Sequence, residues 1–218
     1  RARRTVGFLH PYCDDGGGGE RVLWVALRDL CEGGLPWPPA SAWRVVVYTG
    51  DAATDAQIRS RAHARFGIDV PEHVEFVRLA CRGAVEPRWY PVATLLGQSI
   101  GSLVLLVEAL IRAPPDILVD STGFGFVYAA AKALGVRRIA AYVHYPTVSA
   151  DMAAAVAART PAHNNAAYVA RSALATSAKL VYYRALLAVY AASGARADVV
   201  IANGSWTAAH LRALWRRE

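Results

Sequence analysis

Cysteine and lysine are scarce in this chain of 218 residues. Its three cysteines, Cys13, Cys31 and Cys81, are odd in number and show no Cys-x-x-Cys spacing, which argues against a disulfide framework and against a zinc site. We therefore expect a reducing compartment. The only lysines are Lys132 and Lys179, so nearly all cations are arginines, and the formal net charge is +7. This balance favours phosphates or an anionic membrane surface as neighbours.

Uninterrupted apolar runs and low-complexity stretches are also missing. The nearest approach to a membrane span, residues 93–111, is broken by Gln98 and Glu108, so we interpret it as a buried or interfacial helix. Hydrophobic residues make up 55% of the chain against 19% charged residues, which excludes disordered, collagen-like and coiled-coil classes. The chain begins with Arg1 rather than Met, and we expect it to be a piece of a longer protein.

Six short apolar segments alternate with helical patterns. The predicted strands are residues 5–10, 44–48, 74–79, 117–120, 138–143 and 199–202, and the predicted helices are 20–31, 54–66, 94–112, 125–134 and 205–216. Most strands are continuous apolar runs, as a parallel sheet covered by helices on both faces requires. The sequence therefore predicts one α/β domain over residues 1–218, a Rossmann-like doubly wound parallel sheet.

Two stretches interrupt this alternation. Residues 32–42 form a loop rich in Gly, Pro and Trp, to which we assign no role. Residues 149–196 are rich in alanine and end in an apolar helix at 180–192. That helix is either part of a layer packed on the sheet or a surface that faces lipid or an acceptor.

Ligands of an open parallel sheet bind beyond the carboxyl ends of its strands. The first strand is followed by a loop that ends in four glycines, residues 16–19, directly before a helix. Bare N–H groups and a helix N-terminus favour a phosphate there, although a turn that merely needs positive φ is the alternative. No Lys-Ser/Thr pair follows, so this is not a P-loop. The spacing of the glycines also matches the dinucleotide-binding pattern poorly. A nicotinamide enzyme stays a distant alternative only because Asp51 follows the second strand, where that pattern has an acidic residue.

Other strand ends carry further candidates. His144 follows the fifth strand, where it is either a donor to a hydroxyl or phosphate oxygen or a satisfied core histidine. Segment 120–123 after the fourth strand offers acceptors for sugar hydroxyls, or helix caps. The helix dipole alone is enough to explain a carboxylate at Glu20, the first residue of the predicted helix. Asp14 and Asp15 either cap this helix or bind sugar hydroxyls. No histidine shows metal-ligand spacing, so no metal is predicted.

Eight segments in a fixed order carry a family resemblance. They are residues 10–13 (HPYC), 16–24 (GGGGERVLW), 48–51 (YTGD), 95–99 (LLGQS), 120–123 (DSTG), 142–146 (YVHYP), 164–166 (NNA) and 203–207 (NGSWT). The chain resembles the N-terminal half of the eukaryotic α-1,2-mannosyltransferases of asparagine-linked glycosylation, which are retaining GT-B enzymes of glycosyltransferase family 4. The resemblance covers nearly the whole chain.

The resemblance implies an activity and a set of partners. Mannose would pass from GDP-mannose to dolichol-pyrophosphate-linked Man3GlcNAc2 and Man4GlcNAc2 at the cytosolic face of the endoplasmic reticulum membrane, with no metal or other cofactor and no nucleic acid. This chain would be the acceptor-binding domain. A C-terminal GT-B domain outside it would hold most of the nucleotide sugar. An alternative from another class is a non-catalytic, basic module that binds a membrane surface.

The resemblance also implies roles for residues. His144 would contact the transferred sugar, and Gly18 and Gly19 would approach the donor phosphates or the acceptor. The apolar helices at 94–112 and 180–192 would lie near the membrane. Arg1, Arg3 and Arg4 would flank an upstream membrane anchor. The other candidate substrate-binding residues are Gly17, Glu20, Asp120, Ser121, Tyr145, Asn164 and Asn165.

Overall fold

The computed structural model describes residues 3–32, 43–159 and 172–216. Six strands in this part of the chain form one sheet in the order β3-β2-β1-β4-β5-β6, and every neighbouring pair is parallel. They are β1 Arg4–Leu9, β2 Trp43–Thr49, β3 Glu75–Arg78, β4 Ile117–Asp120, β5 Arg138–Val143 and β6 Val199–Ala202. The predicted Rossmann-like doubly wound sheet is therefore confirmed, and it is consistent with the N-terminal half of a GT-B enzyme.

Helices connect the strands and cover both faces of the sheet. They are α1 Gly18–Glu32, α2 Asp55–Phe66, α3 Thr94–Arg112, α4 Tyr128–Ala133, α5 Ala150–Ala157, α6 Ala173–Gly194 and α7 Ser205–Trp215, with 3₁₀ turns at Ala80–Val85, Pro87–Trp89 and Gly125–Val127. The helix predicted at 125–134 thus begins with a 3₁₀ turn. A side chain at Gly125 in this turn would overlap the ring of Tyr190.

The core has two parts, one on each face of the sheet. On one face, Leu23, Trp24 and Leu27 of α1 pack with Ile58 of α2 against β1 and β2. On the other face, α3, α4, α6 and α7 cover β1, β4 and β5. Because both faces are covered, the central strands are apolar at nearly every position, as a parallel sheet requires.

Helix α2 begins and ends at well-defined caps. Thr54 and Gln57 form a capping box at its start, and Gly67 takes the left-handed conformation at its end, with φ 64°. These caps satisfy the free N–H and C=O groups of a short helix. They fix the helix that carries Arg61 and Arg65 beside the glycine loop.

Helix α3 is, within the described ranges, the one helix long and apolar enough to cross a membrane. One side of it packs into the core through Leu105, Leu106 and Ala109. The other side is exposed. Helix α6 is likewise divided, with Tyr183 and Leu186 buried while other apolar side chains face outward. The layer packed on the sheet is therefore confirmed for one side of 180–192, and contact of the other side with lipid or an acceptor stays a prediction.

Candidate functional site

The order of the strands reverses between β1 and β4, and this point opens a crevice at the carboxyl ends of the sheet. Leu9 lies opposite Asp120 in the register of these two strands. The next residues, His10 and Ser121, are therefore neighbours. His144 follows β5, the strand beside β4, and completes this edge of the crevice.

One of the four consecutive glycines is required by the backbone. Gly16 has a φ of +82°, and a Cβ there would collide with the guanidinium group of Arg65. A Cβ on Gly17 would lie 2.9 Å from Oε2 of Glu20, so that the end of this side chain would have to shift. The alternative of a turn that needs positive φ thus explains Gly16.

The other two glycines have no such local cause. Gly18 and Gly19 begin α1 with φ outside the left-handed region, and a Cβ on Gly18 would meet nothing within 4 Å. A Cβ on Gly19 would lie 3.5 Å from Nε2 of His144 and 3.7 Å from Cε1 of His10. The structure therefore brings the glycine turn and His144 together. Gly18 and Gly19 begin α1, and the first N–H groups of a helix have no acceptor within it.

His144 is half-buried, and its Nε2 atom has no solvent exposure and no hydrogen-bond partner among the described residues. The ring stands edge-on to Tyr142, with centroids 4.8 Å apart. The backbone is held from α7, because Thr207 Oγ1 donates a hydrogen bond to the carbonyl of His144 at 3.1 Å. A fixed imidazole with an unused nitrogen is suited to meet a ligand hydroxyl or phosphate oxygen.

A buried polar row forms the floor of the crevice. His10 Nδ1 lies 2.7 Å from Ser121 Oγ, and His10 Nε2 lies 3.6 Å from Oε1 of Glu20. Burial raises the pKa of Glu20, but the neighbouring imidazole and the N–H groups at the start of α1 outweigh it, so the pKa is lowered below its ordinary value. Glu20 is therefore an anion at neutral pH, and it orients the His10 ring.

Asp120 is fully buried and shapes the loop after β4. Its Oδ1 accepts hydrogen bonds from N and Oγ1 of Thr122 and from N of Gly123, and its Oδ2 accepts one from Tyr128 Oη at 2.7 Å. Burial raises its pKa. The predicted contact of Asp120 with substrate gains no support from this geometry, because the protein itself supplies four donors.

Salt bridges anchor the loop between β1 and α1. Asp14 pairs with Arg61, and the N–H of Asp14 donates to Oδ2 of Asp51 at 3.0 Å. Oδ1 of Asp51 accepts a hydrogen bond from Arg82 at 2.6 Å. Both carboxylate oxygens of Asp51 thus have hydrogen-bond partners within the protein. This argues against a nicotinamide cofactor bound by Asp51. Partial burial, and then the charges of Asp51 and other carboxylates, raise the pKa of Asp15.

Aromatic side chains form the outer rim beside His144. Tyr145 stacks on Trp206 of α7, with centroids 4.8 Å apart and an angle of 20° between the ring planes. Trp206 in turn contacts the ring of His210 at 3.9 Å. The rim thus presents ring surface at the carboxyl ends of β5 and β6.

The structure gathers most of the predicted site residues at this one edge of the sheet. Gly17, Gly18, Gly19 and Glu20 lie at the start of α1, Asp120 and Ser121 follow β4, and His144 and Tyr145 follow β5. Asn164 and Asn165 lie outside the described residues. Sequence reasoning assigned no role to His10 or Trp206. The position of His10 directly after a buried strand, like that of His144, was the available signal.

The described residues offer no cluster of three or more His, Cys, Asp or Glu side chains that could hold a metal ion. That the reaction needs no metal stays a prediction. The charged and polar groups on this edge include backbone N–H groups, imidazoles and the carboxylates of Glu20 and Asp15.

Comparison with known proteins gives one consistent result. The family model described as "ALG11 mannosyltransferase N-terminus" matches residues 3–215. The chain is 45% identical over 217 residues to the GDP-Man:Man(3)GlcNAc(2)-PP-Dol alpha-1,2-mannosyltransferase of Mus musculus, which covers 99% of this chain and 43% of that protein. The proteins of the same name from Homo sapiens and Caenorhabditis elegans are 43% and 40% identical, over 97% and 100% of this chain and 42% and 45% of their own lengths. The chain thus spans less than half the length of these relatives. It belongs to the ALG11 mannosyltransferase N-terminus family.

Proposed function

We propose that this chain is the acceptor-binding half of a retaining α-1,2-mannosyltransferase. The complete protein transfers mannose from GDP-mannose to dolichol-pyrophosphate-linked Man3GlcNAc2 and Man4GlcNAc2 at the cytosolic face of the endoplasmic reticulum membrane. A C-terminal domain supplies most of the nucleotide-sugar site. The names of the relatives favour this function over a non-catalytic membrane module.

The single observation that carries the proposal is the position of Gly19 against His144. A Cβ on Gly19 would lie 3.5 Å from Nε2 of His144 and 3.7 Å from Cε1 of His10, so the glycine lets both imidazoles approach the first turn of α1. A ligand hydroxyl or phosphate oxygen that binds at this junction would satisfy the imidazole nitrogen of His144, which has no hydrogen-bond partner among the described residues.

The chemistry of the step explains why these groups are useful. When the bond between mannose and GDP breaks, negative charge develops on the departing phosphate. Backbone N–H groups at the start of α1 are fixed in position, so they stabilise that charge without reorganisation. His144 contacts the transferred sugar. The anionic Glu20 belongs to the polar floor, where its Oε1 lies 3.6 Å from Nε2 of His10.

The exposed side of α3 fits contact with the membrane that holds the dolichol acceptor. Five apolar side chains recur at spacings of three and four residues and form one stripe along the helix: Leu96, Ile100, Val104, Val107 and Ile111. Helix α6 extends the surface through Val181 and Val189. The hydroxyl of Tyr182 accepts a hydrogen bond from the N–H of Leu96 and joins the two helices. Such a face lies in a bilayer interface rather than across it.

The catalytic proposal is tested in the complete protein with His144→Ala. We expect mannosyl transfer to fall by a factor on the order of 100 or more, while the unfolding temperature changes little because Nε2 of His144 has no hydrogen-bond partner among the described residues. His63→Ala, which changes an exposed histidine on α2, serves as the matched control. Near-normal turnover of His144→Ala would remove His144 from the site.

The membrane contact is tested by co-sedimentation of the complete protein with lipid vesicles. Ile100→Asp is expected to weaken binding at least about tenfold, since it removes an apolar contact and adds a charge. The control Ala64→Asp adds the same charge on exposed α2, which packs on the opposite face of the sheet. Equal binding by the two variants would reject the α3 surface.

A further inference from the structure

We propose that Tyr145, supported by Trp206, is a stacking platform for a pyranose ring of the acceptor oligosaccharide. The inference rests on the proposed function, because it names a subsite for that acceptor. It adds Trp206, to which neither the sequence analysis nor the comparisons assign a role.

The two rings are exposed where burial would be expected. Tyr145 is 55% exposed and Trp206 is 41% exposed, and the rings are nearly parallel. Large aromatic side chains normally bury most of their area. A pair that stacks in the open at the ligand edge of a parallel sheet therefore offers apolar area to a partner.

The neighbouring residues hold the platform in place. Trp206 contacts the ring of His210, and His210 Nε2 lies 3.2 Å from Oδ2 of Asp151 on α5. Thr207, the next residue of α7, donates a hydrogen bond to the carbonyl of His144. A rigid platform loses little conformational freedom when a ligand binds, so the contact contributes more to affinity.

Chain connectivity sets the position of the platform relative to the crevice. Tyr145 directly follows His144, whose Nε2 faces Gly19. The platform therefore lies at the carboxyl end of β5, in the residue next to the one that carries the imidazole. This is the place where an acceptor sugar must be held if its hydroxyl is to meet the transferred mannose.

The chemistry around the rings favours a carbohydrate over a lipid. A pyranose presents a face of C–H groups surrounded by hydroxyls, so it matches an aromatic ring with a polar rim. Asn203, Asp151 and His210 supply polar groups near the platform. The α3 stripe, by contrast, has apolar neighbours along its length.

The experiment measures steady-state kinetics of the complete protein with Tyr145→Ala, Trp206→Ala and Tyr145→Phe. We expect the two alanine variants to raise the KM for the lipid-linked acceptor about five- to tenfold and to leave the KM for GDP-mannose within about twofold. Tyr145→Phe keeps the ring and is expected to recover the acceptor KM. If the alanine variants raise the KM for GDP-mannose instead, the platform serves the donor or the second domain, and the proposal is wrong.

A second readout does not depend on catalysis or on lipid. Saturation-transfer NMR with the soluble, lipid-free oligosaccharide is expected to show contacts with the complete protein that Tyr145→Ala loses. Trp89→Ala, which removes another exposed aromatic ring, is the control and should keep them. Contacts that persist in Tyr145→Ala would overturn the platform, whereas a wild-type protein that transfers no mannose at all would refute the proposed function itself.

Discussion

Replacing Gly19 with alanine adds one methyl group to the crevice and changes little else. The new Cβ would lie 3.5 Å from Nε2 of His144 and 3.7 Å from Cε1 of His10, which are ordinary van der Waals distances. The backbone at Gly19 is outside the left-handed region. The variant should therefore fold without strain, and the only loss is the space above the first turn of α1.

The expected effects on stability and activity have opposite signs. Alanine is favoured over glycine inside a helix by up to about 1 kcal/mol, so the free energy of unfolding should stay the same or rise slightly. The methyl group keeps a ligand from its closest approach to the N–H groups, and a misplacement of about 1 Å lowers turnover by a factor on the order of 100. The variant should thus be a stable protein with little transferase activity.

The assay compares Gly19→Ala with Gly83→Ala in the complete protein, measuring mannosyl transfer and thermal unfolding. Gly83 lies in a 3₁₀ turn, and a Cβ there would meet only Nε1 of Trp89 within 4 Å, at 3.7 Å. We expect this control to retain activity. If Gly19→Ala transfers mannose at the wild-type rate with both KM values unchanged, then no ligand occupies the space between Gly19 and His144, and the proposed site is refuted.

Two further predictions concern stability. Burial raises the pKa of Asp198, but hydrogen bonds from Lys132, Arg138 and the N–H of Ile139 outweigh it and lower the pKa to about 2. Because the folded pKa is depressed, the stabilisation is complete above the unfolded pKa of about 4 and is lost as pH falls towards 2. The unfolding temperature of Asp198→Asn should therefore lie below that of wild type at pH 7, and the gap should narrow on acidification; a gap independent of pH would contradict this. Tyr128→Phe removes a hydrogen-bond donor from the fully buried carboxylate of Asp120. The free energy of unfolding, measured by chemical denaturation, should fall by about 1–3 kcal/mol. An unchanged free energy would mean that water replaces the hydroxyl.

Strand positions were predictable because a sheet buried on both faces needs continuous apolar runs. The strands at 117–120, 138–143 and 199–202 coincide with β4, β5 and β6. Helix α3 coincides with its predicted range as well. The region around Gly125 was not predictable in detail, since Gly125 packs closely against Tyr190, which is 65 positions further along the chain.

The gathering of site residues was predictable from topology alone. Once the sheet is parallel, residues after β1, β4 and β5 must share an edge, and His144 and the glycine loop follow from that rule. The individual roles of the four glycines were not predictable. They depend on the long side chains of Arg65 and Glu20, whose positions no local pattern fixes.

The roles of the aspartates near the site were the hardest to predict from the sequence. Asp120 ends β4, and Asp14 and Asp51 lie in the loops after β1 and β2. The sequence allows Asp14 and Asp120 to bind a sugar hydroxyl and connects Asp51 with a nicotinamide cofactor. Asp14 instead pairs with Arg61, Asp51 with Arg82, and Asp120 with its own loop and Tyr128.

These internal pairs have a consequence for binding. The negative charges beside the glycine loop would repel a phosphate if they were free. Arginines from α2 and from the turn after β3 neutralise Asp14 and Asp51, so Asp15 and Glu20 are the carboxylates that still oppose the N–H groups at the start of α1. The repulsion of a phosphate by the acidic loop is therefore reduced, and the reduction depends on arginines about 45 and 30 positions away from the carboxylates that they neutralise.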